Sequence, residues 1–135
     1  MTNNFKKMCD DLTAKIQASY EEGITLEAAE KLAGEFLHAQ IKVADALREA
    51  DLDARMKRTG TKAIKAAVYL AEATKGEKKP SDVLLAAVVD TSKEVIEQQD
   101  LYDRAEVERD ALQNYFNIFK EAHIHFRAIA KGRFE

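Results

Sequence analysis

The chain has 135 residues and a mass of 15.2 kDa, with 21 Lys and Arg against 24 Asp and Glu for a net charge of −3. One domain's length, 46% apolar and 33% charged residues exclude a disordered tail, and five Gly, one Pro and no Trp argue against turn-rich sandwiches and barrels. A single cysteine, Cys9, excludes a disulfide framework and a Cys-based zinc site and points to a reducing compartment.

Apolar residues recur every three or four positions almost throughout, which predicts an all-α chain. Phe5, Met8, Cys9, Leu12, Ile16 and Tyr20 mark a first helix within residues 1–22, closed by Gly23. Thr25 is placed to cap a long second helix, with Glu27 near its positive end. Leu26, Ala29, Leu32, Phe36, Ile41, Ala44 and Leu47 form its stripe. Residues 51–60 read either as its continuation or as a turn. Gly60 is expected to loosen the helix and Thr61 to cap a shorter basic segment, so that residues 26–74 hold a long helix and a basic central piece. Residues 75–81 are the obvious loop, with Ser81 as the next cap and Asp82 in the first turn. Asp90-Thr91-Ser92 reads as a kink or restart within residues 82–132, and the last helix ends at Lys131-Gly132. The architecture expected is a single domain, an elongated helical hairpin or bundle with a long C-terminal helix. Tyr115, Phe116, Phe119, Phe126 and Ile129 cover more than one stripe of that helix. Burying them calls for an oligomer interface or a place at the centre of the bundle, and the first is the expectation.

Net charge hides the distribution. Residues 55–79 carry eight cations (Arg55, Lys57, Arg58, Lys62, Lys65, Lys75, Lys78, Lys79) and two acids, and Lys57–Ala71 contains no acid. Residues 120–133 add Lys120, Arg127, Lys131 and Arg133 against Glu121. The two segments total +9 and the remainder −12. Such clustering presents a positive surface to phosphates. Lys62 and Lys65 share a helix face, and Tyr69 follows four residues later, either as a face for a base to stack on or as core.

Other chemistry is thinly supported. Glu35 and His38 have the Glu-x-x-His spacing of di-iron bundles, but there is no second copy. His123 and His125, two apart, face different ways and cannot chelate one ion. Glu27/Glu30 and Glu97/Asp100 have the spacing of magnesium-binding pairs in helical nucleotide pyrophosphatases, but lie far apart in sequence. No phosphate-binding Gly loop, zinc-protease helix or nucleophile elbow is present. The expectation is a non-enzymatic protein without metal or cofactor. No stretch approaches the roughly 18 apolar residues of a membrane span, and residues 1–10 lack a signal peptide's apolar core, so a cytoplasmic location is expected.

Ile64-Lys65-Ala66-Ala67-Val68-Tyr69 partly echoes the Leu-Lys-Ala-Arg motif and following aromatics of the UvsY-like phage recombination mediators. Lys65 and Ala66 match it, whereas Ala67 stands at the Arg position. Val88-Val89-Asp90 and the run from Tyr102 through Leu112, Ile118-Phe119-Lys120 and Arg127 to Lys131-Gly132 resemble that family's Asp-containing segment and oligomerising helix, so the likeness spans about residues 26–132. The resemblance implies an oligomer that binds single-stranded DNA, destabilises the single-strand-binding protein coating it and helps load a recombinase, in the cytoplasm of a bacterial host if the chain is phage-encoded. The DNA contacts expected are Arg55, Lys57, Arg58, Lys62, Lys65, Tyr69, Lys131 and Arg133. The alternative is a phage-type adaptor or inhibitor that docks on another protein through its acidic helical faces.

Overall fold

A computed structural model describes residues 1–132; Arg133, expected as a DNA contact, lies outside the described residues. The chain is all-α, with α1 (Asn3–Glu22), α2 (Leu26–Ala73), α3 (Asp82–Thr91) and α4 (Lys93–Ala130), and no strand among the described residues. No helix is long and apolar enough to cross a membrane among them.

Local chemistry sets most of the helix ends. Thr2 accepts from the Phe5 N–H at 3.2 Å to start α1. The Gly23 N–H closes that helix on the Ser19 carbonyl at 3.1 Å with φ +77°, a left-handed value at which a side chain is strained. Thr25 and Ser81 cap α2 and α3 as expected, accepting from the Ala28 and Leu84 N–H groups at 3.1 and 3.2 Å. The Asp90-Thr91-Ser92 segment is a restart: Ser92 is extended, with φ −64° and ψ 130°, and α4 begins at the next residue.

The expected weakening at Gly60-Thr61 does not occur. Helix α2 runs through it for 48 residues, about 72 Å at 1.5 Å per residue. Thr61 does not cap anything. Its hydroxyl donates back to the Lys57 carbonyl at 2.8 Å, inside the helix, and is buried. Gly60 lies against Gln98, whose Nε2 would sit 3.2 Å from an added Cβ, so packing there compensates the poor helix propensity of glycine.

The chain forms two compact units, Met1–Arg48 with the chain from Asp110 onward, and Glu49–Arg109. In each, a stretch of α2 lies antiparallel to a stretch of α4. The first unit is built on aromatic packing. Phe36 of α2 stacks on Phe126 of α4 with centroids 5.5 Å apart and meets Phe119 at 5.6 Å, and all three are fully buried. Cys9 and Leu12 bring α1 onto this core, and Ala29, Ala33 and Ala39 keep the buried side of α2 thin. His123 donates from Nδ1 to the Ala33 carbonyl at 2.9 Å, which fixes the proton on that nitrogen. The second unit buries Ala54, Thr61, Leu85, Val89, Val95 and Ala105. Its antiparallel order follows from Asp51 near Arg109 at 3.9 Å and Thr61 against Gln98.

These contacts correct the expected oligomer interface. Phe119 and Phe126 are consumed by the chain's own core and offer nothing to a partner. Tyr115 is half-buried, stacks on Phe119 and donates to Asp10 of α1 at 3.1 Å, while Phe116 and Ile129 are also half-buried.

Replacing Phe126 with Ala should cost about 3–5 kcal/mol in chemical denaturation, whereas Ile124→Ala two residues away, on the exposed side, should stay within about 0.5 kcal/mol. Burial, with the Asp10 carboxylate second, pushes the Cys9 thiol up to about 11 from its ordinary 9.0. Above pH 9 the unfolded chain therefore releases this proton while the folded chain keeps it. Stability should fall between pH 9 and 11, and Cys9→Ala should flatten that part of a denaturation-midpoint profile.

Candidate nucleic-acid interface

Because α2 is uninterrupted, the positions of its cations follow from helical geometry. At about 100° per residue, Arg55, Arg58, Lys62, Lys65 and Tyr69 fall within an arc of about 80° and run for about 21 Å along the helix. Lys57 lies about 80° beyond the edge of that arc, half-buried and bonded to Asp53 at 2.9 Å. The structure thus brings five of the six expected α2 residues onto one flank and leaves Lys57 off it.

The five are electrostatically unequal. Arg55 is paired with Asp51 one turn earlier at 3.0 Å, an exposed i,i+4 contact that a phosphate can displace at little cost. Arg58 and Lys62 are exposed and pair with no carboxylate among the described residues. Arg58 stands near Tyr102, whose hydroxyl is pushed upward in pKa by burial first and then by its hydrogen bond to Glu106, against the opposing pull of Arg58 and Arg109. Lys65 is half-buried in a cleft of about 300 Å³ with Asp90 of α3 and Asp100 and Asp103 of α4. Asp100 is paired with Arg104 at 3.0 Å and Asp103 accepts from Gln99 at 2.9 Å, so these carboxylates make the cleft acidic without forming an ion pair with Lys65.

Tyr69 is 38% exposed, so its ring is accessible beside Lys62 and Lys65 and is not a core residue. In the loop that follows, Lys75 and Lys79 lie near Glu72 and Asp82 at 3.9 and 3.7 Å, and Lys78 is exposed. Lys131 belongs to the other unit, where with His123 and Arg127 it lines a separate cleft on α4. It is not gathered with the α2 cations in one unit.

Two features of this surface escape a reading that stops the helix at Gly60. One is the aspartate triplet around Lys65, which depends on how α3 and α4 return along α2. The other is an exposed apolar stripe next to the cations: Leu52, Met56 and Leu70 are 60%, 66% and 63% exposed, with exposed Ala63, Ala66 and Ala67 between them. Its signal was present as an i, i+4, i+11, i+18 spacing, visible only on a continuous helix.

The alternative chemistries are not assembled. Glu35 is bonded to Lys15 at 2.9 Å and His38 is exposed, on the rim of a groove between α1 and α2. No group of three or more His, Cys, Asp or Glu residues placed to hold a metal ion exists among the described residues. No protein-family model matches the chain, and neither a curated protein nor a solved structure does so.

Proposed function

We propose that this protein binds single-stranded DNA along one flank of α2, as a non-enzymatic, self-associating protein of the recombination-mediator kind that the Lys65-Ala66 motif resembles. The observation that carries the reading is two exposed cations, Arg58 and Lys62, that pair with no carboxylate among the described residues, with an accessible tyrosine ring on the same flank. A flexible single strand needs phosphate neutralisation and a surface for an unstacked base, and this flank offers both. Arg55 extends the track by exchanging Asp51 for a phosphate. Lys65 plays a smaller part than its place in the motif suggests, because it is half-buried in a cleft that Asp90, Asp100 and Asp103 also line. Each protomer then supplies only a few contacts, so useful affinity depends on several copies engaging one strand. The narrower role implied by the resemblance, displacement of a single-strand-binding protein and assistance to a recombinase, belongs to the same proposal.

Fluorescence anisotropy of a labelled oligothymidylate across a salt series checks it. Binding should weaken steeply with salt, and Lys62→Ala should reduce the log–log slope by about 0.7, the value for one single-strand phosphate contact. Lys57→Ala should leave the slope unchanged and Tyr69→Ala should weaken binding by about 1–3 kcal/mol without changing it. Absence of binding at about 50 mM salt, where phosphate contacts are strong, would remove the reading in favour of an adaptor working through the acidic faces.

A further inference from the structure

The apolar stripe on α2 is uncovered by any of the described residues. Leu52, Met56, Thr59, Ala63, Ala66, Ala67 and Leu70 fall within about 60° of one line, and all are exposed. The one hydroxyl among them is already satisfied, since Thr59 Oγ1 donates to the Arg55 carbonyl at 3.1 Å, so the whole stripe can be covered without stranding a polar group. Its bulk is distributed in a self-complementary way, with large residues at the two ends and small ones between. Turned end for end about a point near residue 61, the stripe places Leu52 opposite a second copy's Leu70, Met56 opposite its Ala66, and Thr59 opposite its Ala63. Large side chains thus meet small ones or each other at the ends, with the close approach in the middle that alanines permit.

We infer that α2 pairs antiparallel with the α2 of a second copy through this stripe, and that single-stranded DNA drives the pairing. The inference rests on the DNA-binding reading above. A two-fold axis perpendicular to antiparallel helices returns each flank to the same side, so the Arg55, Arg58 and Lys62 flanks of both copies adjoin on one surface. That surface is self-repulsive when empty and complementary to a polyanion when filled. The area argues in the same direction. A stripe about 27 Å long and 10–12 Å wide covers roughly 300 Å² per copy. A stable interface needs about 800 Å² per partner. The contact is therefore too small to hold a dimer against cation repulsion by itself. It suffices once one strand lies across both flanks, and the DNA site is complete only in the pair.

Analytical ultracentrifugation at micromolar protein, with and without a labelled oligothymidylate long enough to cross both flanks, tests this together with anisotropy. The protein alone should sediment as a monomer, and the complex should contain two protein chains per strand. A Leu52→Gln/Leu70→Gln variant changes no charge and touches only exposed positions, so its circular dichroism should match the parent. It should bind one chain per strand and about tenfold more weakly. A parent that binds DNA as a one-to-one complex overturns the pairing, assigns the stripe to a different protein chain, and leaves the DNA reading intact. A variant as tight as the parent, or a dimer that forms equally well without DNA, also overturns it. A parent that binds no DNA removes the reading on which the inference stands.

Discussion

The packing of Phe36 between Phe119 and Phe126 is the constraint from which the first unit follows. In a folded protein most of a helix's stability comes from the face it buries, and for this part of α2 that face is centred on Phe36. One ring on α2 meets two on α4 that are seven residues apart, two helical turns, and this sets the register of the two helices there. Alanines at 29, 33 and 39 let the backbones come close enough for the rings to touch, and the His123–Ala33 hydrogen bond forms only at that separation. Burial of Phe119 and Phe126 thus places much of the last helix's aromatic excess inside one chain.

The second unit solves a different problem with fewer apolar atoms. Its buried set is mostly small or β-branched, and it contains a buried threonine, so close backbone approach replaces bulk. Gly60 against Gln98 and Thr61 beside the Gln98 carbonyl are two parts of that approach. A thin pair of helices leaves its outer faces uncovered. The cation flank and the apolar stripe are both consequences of this shortage of covering elements, which makes their adjacency a property of the fold.

Much of this was legible in the sequence because it is local. Gly23, Thr25 and Ser81 act at helix ends through chemistry that their own neighbours complete, and the concentration of charge between residues 55 and 79 needs no fold to be counted. The Arg55–Asp51 and Lys57–Asp53 pairs follow from i,i+4 spacing and could have been subtracted from the cation count at once. What could not be read was decided by elements distant in the chain. Gly60-Thr61 has the composition of a break and became helix interior because Gln98 packs there. Lys65, which matches the motif together with Ala66, lines a cleft with three aspartates contributed by α3 and α4. Phe119 and Phe126 looked like surplus surface until Phe36 was placed against them.

The single extended residue at Ser92 carries a further implication. Val89 and Val95 are both buried, yet six residues of uninterrupted α-helix would turn them about 120° apart in azimuth. Without the interruption, α3 and α4 would be one rod whose apolar face spirals away from α2, and either Leu85 and Val89 or Val95 would be turned to water. Ser92 interrupts that rod. Its extended backbone re-aims the chain between α3 and α4, so Leu85 and Val89 before the break and Val95 after it can all be buried without sharing one helical azimuth. Length at this point in the chain therefore matters more than identity, since inserting or removing a residue would rotate every side chain of one helix relative to the other.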